Sequence, residues 1–218
     1  PVASYNDQDF KNLKDVYLDA VFHPNILKYE EIFKQEGWHY ELEDKDAPLT
    51  INGVVYNEMK GAYSSAEEIL QSTLFEAMFP ENTYSKDSGG NPDFIPELTY
   101  EKFLDFYKAY YHPSNSYIYL YGDFDIKERL EWMDKEYLCN YDVLDIDTSI
   151  KLQKPYDEIK DILKKYPIST EESEENNTYL AYSKVIGKAE DKVRNQAFPV
   201  LDYAFVSASG APVCSALT

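Results

Sequence analysis

Apolar residues at the start of the chain recur at the spacing of an α-helix. Phe10, Leu13, Val16, Tyr17, Ala20 and Val21 form one 3.6-residue stripe; Asn6 stands before it as a cap and His23-Pro24 closes it. A second helical stretch over 26–35 ends at Gly37, a residue type suited to a C-terminal cap. The period then drops to two. Residues 38–43 and 49–56 flank the polar turn Asp44-Lys45-Asp46, which predicts a β-hairpin. Helix returns over 57–63, and Ser65 with Glu68 makes a capping box for another helix through Ile69, Leu70, Leu74, Ala77 and Met78, stopped by Pro80. Residues 82–96, rich in Asn, Ser, Gly and Pro, predict a long loop of the kind that is functional or buttressed by neighbours. Thr99 opens an aromatic helix that ends before His112-Pro113. Residues 117–121 are apolar or aromatic throughout, as in a central strand covered on both faces. Asp125 with Glu128 then caps a helix to Leu138.

The texture changes at Tyr141. Charges cluster, Pro155 and Pro167 interrupt, and Glu171-Glu172-Ser173-Glu174-Glu175 is a solvated acidic run, so 141–177 reads as an interdomain linker with room for one helix. A strand pattern resumes over 178–186, followed by a helical stretch around 201–207, then Gly210-Ala211-Pro212 and the start of a last helix. This order of elements predicts one mixed α/β domain, the opening of a second, and an α+β class.

Charge narrows the function classes. Lys and Arg number 21 against 40 Asp and Glu, a net −19, which repels phosphate backbones and argues against nucleic acid as a partner. Two cysteines, Cys139 and Cys214, form no CxxC pair, so neither a disulfide scaffold nor a zinc–thiolate knot organises the fold. No uninterrupted apolar run approaches the roughly 18–20 residues that span a bilayer, and no signal peptide opens the chain; the expectations are no membrane and a cytoplasmic location. The chain opens at Pro1 without a Met and stops inside a helical pattern, which suggests a piece of something longer.

Candidate chemistry is sparse. His23 and His112 precede prolines at helix ends and read as caps. His39, Glu41 and Glu43 share one strand face, but successive positions on a face lie about 7 Å apart, too far to converge on one ion at about 2 Å; they read as polar, outward residues of a hairpin. Ser64-Ser65 and Ser207-Ala208-Ser209-Gly210 lack a nucleophile elbow. Gly89-Gly90-Asn91-Pro92 lacks the Lys-Ser/Thr and following helix of a phosphate loop. Cys139, at a helix end, reads as a partly buried thiol. Glu58, after Val54-Val55-Tyr56, falls in the first turn of the 57–63 helix, where a carboxylate stabilises the N-terminus through the helix dipole. On composition and spacing alone that structural role suffices.

Longer strings add a resemblance. Residues 30–43, then Asn52-Gly53-Val54-Val55-Tyr56-Asn57-Glu58-Met59-Lys60-Gly61, then Ser88-Gly89-Gly90-Asn91-Pro92 and Tyr110-Tyr111-His112-Pro113-Ser114-Asn115-Ser116 through Gly122, resemble the presequence-protease branch of the insulinase (pitrilysin) family of zinc metallopeptidases. Asn177-Thr178-Tyr179-Leu180 and Val200-Leu201-Asp202-Tyr203-Ala204 extend it across nearly the whole chain. The resemblance implies helices packed on a largely antiparallel sheet. It implies that 1–140 is the C-terminal part of the first, metal-binding peptidase domain, 141–177 a linker, and 178–218 the beginning of a second, similar domain. It also implies a zinc held by two histidines of an HxxEH helix and a distal glutamate, which Glu58 matches. HxxEH itself is absent here, and Pro199 stands inside a stretch that is helical in the family. The expectation is therefore a fragment of a zinc metalloendopeptidase for short unstructured peptides. It contributes Glu58 as metal ligand and no catalytic residue, holds no zinc alone, and is inactive alone. Its partners are peptide substrates and the remaining parent domains, with self-association through exposed apolar surface. The alternative is a degenerate, non-catalytic member serving as a binding or assembly module.

Overall fold

The computed structural model describes residues 2–217 and divides into two compact units, Pro1–Tyr179 and Leu180–Thr218. Four helix starts in the first unit follow directly from their caps. Asn6 accepts the Asp9 N–H at 2.9 Å and opens α1 (Asp7–Phe22); Ser65 accepts the Glu68 N–H at 3.4 Å and opens α4 (Ala66–Met78). Thr99 accepts the Lys102 N–H at 3.3 Å before α5 (Tyr100–Tyr110), and Asp125 accepts those of Lys127 and Glu128 before α6 (Ile126–Glu136). Each cap satisfies a first-turn donor that the helix itself leaves without an acceptor.

The core of this unit sits between α1 and α6. Leu18 and Phe22 meet Met133 and Tyr137, with Val21, Leu120, Trp132, Leu138 and Tyr141 packed around them. Tyr137 also donates its hydroxyl to the Asp15 carboxylate at 2.6 Å, which ties the end of α6 back to α1. A smaller cluster forms where α2 (Glu30–Glu36) puts Phe33 against Tyr100 and Phe103 of α5. The helix expected over 26–35 is split: Asn25–Leu27 is a single 3-10 turn after Pro24, and α2 starts only at Glu30.

The hairpin is present but short. β1 (His39–Glu41) pairs antiparallel with β2 (Thr50–Asn52) in the register His39 to Asn52, Tyr40 to Ile51 and Glu41 to Thr50. Its faces are reversed from expectation: Tyr40 is the exposed residue, whereas His39 and Glu41 are half-buried. His39 Nδ1 lies 2.8 Å from the Lys34 carbonyl oxygen, and Glu41 accepts the Asn52 amide at 2.8 Å, so both are engaged structurally. The expected strand 49–56 ends at Asn52, because Gly53 redirects the chain and Val54-Val55-Tyr56 begin α3 (Val54–Ala62).

This antiparallel hairpin is the whole sheet among the described residues; with the helices it fits the α+β class expected, but the sheet is far smaller than the helix-covered one the resemblance implied. Residues 117–121 form no strand: Leu120 packs on the α1–α6 core while Tyr119 stays 85% exposed. A lone extended segment leaves its ladder N–H and C=O groups to water, and a strand exists only where a neighbour supplies the complementary row. The same holds for 178–186. The 141–177 stretch holds no helix and is pinned to the first unit, with Tyr156 donating to the Ala77 carbonyl at 2.7 Å and Gln153 accepting the Glu81 N–H at 3.0 Å. Cys139 is exposed, not partly buried: it sits in the 3-10 turn Leu138–Asn140 after α6, its thiol donating to the Lys135 carbonyl at 3.2 Å.

In the second unit, Asp191 accepts the Arg194 N–H at 3.1 Å and caps α7 (Lys192–Asp202); a π-helical turn, Tyr203–Ser207, follows, then Gly210 at φ 74° and α8 (Pro212–Leu217). Pro199 lies within α7, where it removes the N–H that would bond the Asn195 carbonyl; the wider turn begins four residues later and closes with the Ala208 N–H on the Tyr203 carbonyl at 2.8 Å. The stretch Lys192–Ala216 is long and apolar enough to cross a membrane by length and composition alone, a test that core helices of soluble proteins also pass. Polar residues interrupt it, so it contains no uninterrupted apolar run of that length.

Candidate functional site

Helix α3 carries Glu58 and is positioned by close backbone approaches, since none of its residues is buried. Gly53 precedes it at φ 153°, and a Cβ there would lie 2.2 Å from the Gly37 carbonyl oxygen and 2.7 Å from Trp38 Cα. Only glycine lets the end of the hairpin cross the end of α2 so closely. The same Gly37 carbonyl accepts the Tyr56 N–H at 3.3 Å. On another side the 82–96 loop presses against the helix: a Cβ on Gly89 would lie 2.3 Å from Met59 Sδ. Tyr63, just past α3, donates its hydroxyl to Asp87 at 3.4 Å and lies 3.1 Å from Ser72 Oγ of α4, while Asp87 accepts the Gly89 N–H at 2.9 Å. Burial pushes the Tyr63 phenol pKa up, and the negative Asp87 adds to the shift.

Glu58 is exposed and lies in the second turn of α3, not the first as expected, because the helix starts at Val54. Its carboxylate makes no hydrogen bond or ion pair among the described residues. The neighbouring side chains turn elsewhere: Asn57 donates to Asn52 Oδ1 at 2.6 Å, and the Lys60 ammonium sits 5.9 Å from the Tyr56 ring centroid. A carboxylate away from the helix N-terminus gains little from the dipole, so the structural role first suggested for Glu58 loses its basis.

A zinc site normally takes three protein ligands, and no group of three or more His, Cys, Asp or Glu among the described residues could hold a metal. The histidines are engaged elsewhere. His23 Nδ1 lies 3.2 Å from Asp19, and His112 Nδ1 accepts the Ser114 N–H at 3.1 Å as a cap. The described residues therefore do not make a zinc site; Glu58 offers one oxygen donor on a firmly held helix. The residues that hold it were missed in the sequence. The Asn52-Gly53 pair is a turn signal inside the stretch that reads as strand 49–56, and Gly89-Gly90 lies in the loop expected to be functional or buttressed, with nothing in the sequence to point to Met59 as its contact.

The chain matches the family described as Peptidase M16 inactive domain over residues 97–218. It is 50% identical to Protein HypA of Clostridium perfringens over 217 residues, covering 100% of this chain and 22% of that protein. It is 49% identical over 169 residues to presequence protease 1, chloroplastic/mitochondrial, of Arabidopsis thaliana, covering 77% of this chain and 16% of the plant protein. The mitochondrial presequence protease of Drosophila melanogaster is 45% identical over 157 residues, with coverage of 71% and 15%. The chain spans less than a quarter of the length of these relatives. The plant and fly names are organellar and lend no support to a cytoplasmic location.

Proposed function

The chain belongs to the M16 (insulinase) family of peptidases, in its presequence-protease-like branch, and on that premise we propose that it is a scaffold piece of a zinc metalloendopeptidase that degrades short unstructured peptides. The observation that carries this reading is the 45–49% identity to presequence proteases over 71–77% of the chain. Within it, Glu58 serves as the distal zinc ligand of the longer protein. Supporting that role, its carboxylate is exposed and, among the described residues, free of a partner, while its helix is tied to Gly37 at its start and, through Tyr63, to Asp87 just past its end. The histidine ligands and the general base lie outside these 218 residues, since HxxEH is absent from them. The zinc, when bound there, polarises the scissile carbonyl and activates water; this chain's part is to hold one oxygen donor in place. Residues 1–140 then belong to the metal-binding domain, 141–177 to a linker, and 178–218 to the start of a second domain.

The test is Glu58→Gln in the longer protein, followed by metal analysis and hydrolysis of a quenched peptide. Stoichiometric zinc and turnover are both expected to be lost; wild-type zinc content with wild-type cleavage would sink the assignment. The 218-residue chain alone is expected to retain no zinc after dialysis and to cleave nothing. Its exposed apolar residues, among them Leu163, Leu180 and Val143, further support self-association, which sedimentation over a range of concentrations reads directly; a single monomeric species throughout would contradict it.

A second reading, a non-catalytic binding or assembly module, has one observation in its favour: the matched family description is that of an inactive domain. An intact HxxEH in the longer protein decides for the enzyme, and its absence decides for the module.

A further inference from the structure

Helices α1 and α6 line a half-open cavity of about 270 Å³ that the peptidase reading does not use. Two cations on its wall are buried, Lys14 at 6% and Arg129 at 3% exposure. The Arg129 guanidinium reaches Asp7 through Nη2 and Glu128 through Nη1, but its Nε is buried with no acceptor among the described residues. Lys11, more exposed, bridges the same two carboxylates at 3.2 and 3.1 Å. The Lys14 ammonium lies 3.7 Å from the Trp132 ring centroid, and no oxygen accepts from it among the described residues. An indole face attracts a cation but leaves the ammonium's N–H groups without a protein acceptor; the Lys14 side chain is buried while its ammonium still reaches the open side of the cavity. The Gln8 and Asn12 amides, also on the wall, donate to nothing among the described residues.

The charges around the cavity decide what it suits. Asp7 and Glu128 are both engaged by Lys11 and Arg129. Asp15, the remaining carboxylate, is exposed and accepts the Tyr137 hydroxyl at 2.6 Å. One positive charge, Lys14, is left without a contacting counter-charge among the described residues, beside two neutral, exposed amide donors. We propose that this cavity binds a single carboxylate group, held by the Lys14 ammonium with the Gln8 and Asn12 amides against the Trp132 ring. A phosphate dianion is a poorer match, because it would bring two charges to one free cation with three carboxylates nearby. Burial, and then the Arg129 guanidinium, push the Lys14 pKa down, and a bound anion would reverse that shift. The carboxylate can come from a small free acid or from the C-terminus of a peptide; the chemistry of recognition is shared.

The chain has two tryptophans, so ¹⁵N-tryptophan labelling gives two indole resonances. Trp38 donates its indole N–H to the Leu98 carbonyl at 2.8 Å and serves as internal control. Sodium acetate is titrated against sodium chloride at matched ionic strength. The expected result is a saturable shift of the Trp132 resonance with acetate alone, lost in Lys14→Met and kept in the exposed Lys135→Met. A short peptide and its C-terminally amidated form separate the two sources. A free-acid peptide binding at least tenfold tighter than acetate, with the amide inert, assigns the peptide terminus; equal affinities assign a small acid. The same linear drift in acetate and chloride overturns the proposal, as does saturation with inorganic phosphate but not acetate. So does an unchanged acetate response in a Lys14→Met chain whose Trp38 resonance stays native. If that variant does not fold, the wild-type comparison of acetate with chloride decides. Failure here leaves the reading of Glu58 untouched, since the two sites share no residue.

Discussion

The α1–α6 pair and helix α3 are held in place by different physics. The pair buries Leu18, Phe22, Met133 and Tyr137 in one cluster and adds a network of ions around Arg129. Helix α3 buries none of its residues and is located by two glycine contacts and one tyrosine anchor. Apolar burial is non-directional and roughly proportional to area, so the pair supplies stability and tolerates small shifts. A close backbone approach contributes little area but admits one geometry, so α3 is positioned more than it is stabilised. That is the arrangement expected where an exposed side chain must be presented in a defined place.

The sharpest challenge to this contrast is Phe22→Ala, for which truncating a buried aromatic predicts a loss of about 3 kcal/mol in urea unfolding. A loss below about 1 kcal/mol would mean that the pair is no core. Next comes Gly53→Ala. The left-handed φ and the contact with Gly37 predict about 2 kcal/mol of destabilisation. In hydrogen exchange the loss of protection should be confined to α3 and the hairpin, with α1 and α6 unaffected; a global loss would erase the distinction.

Tyr137→Phe removes the hydrogen bond to Asp15 and is expected to cost about 1 kcal/mol. It also reports through pH. Burial, reinforced by the Asp15 carboxylate, raises the Tyr137 pKa far above the ordinary tyrosine range, and burial raises those of Tyr63, Tyr107 and Tyr141 as well. The unfolded chain therefore releases these protons first. The stabilisation is complete below about pH 10, the ordinary tyrosine value, and is lost as pH climbs beyond it. Tyr137→Phe should flatten that alkaline decline. Lys14 acts in the opposite sense: its lowered pKa lets stability rise as pH approaches the ordinary lysine value of 10.5. Alkaline unfolding followed for Tyr137→Phe and Lys14→Met separates the two. The smallest effect belongs to Glu58→Gln, which should change unfolding free energy by no more than about 0.5 kcal/mol, as for other partnerless surface residues. A larger loss would make Glu58 structural.

Local chemistry was legible and long-range pairing was not. Asn6, Ser65, Thr99 and Asp125 were all identified as caps, and each accepts a backbone N–H from two or three residues ahead. The hairpin was legible for the same reason, because its partners are joined by one turn. Val54-Val55-Tyr56 misled: branched and aromatic side chains favour a strand, but Gly53 turns the chain against Gly37 and helix follows. Residues 117–121 misled differently, since their composition suits a covered strand while no neighbour pairs with them among the described residues.

The family and the helix boundaries set by caps were readable in the chain's order of residues, because each rests on neighbours within a few positions or on long matched strings. Where Glu58 stands in its helix, what holds that helix, and the pairing of Lys14 with Trp132 across 118 positions were settled only on folding. They depend on contacts between segments far apart in sequence, whose geometry no local pattern encodes.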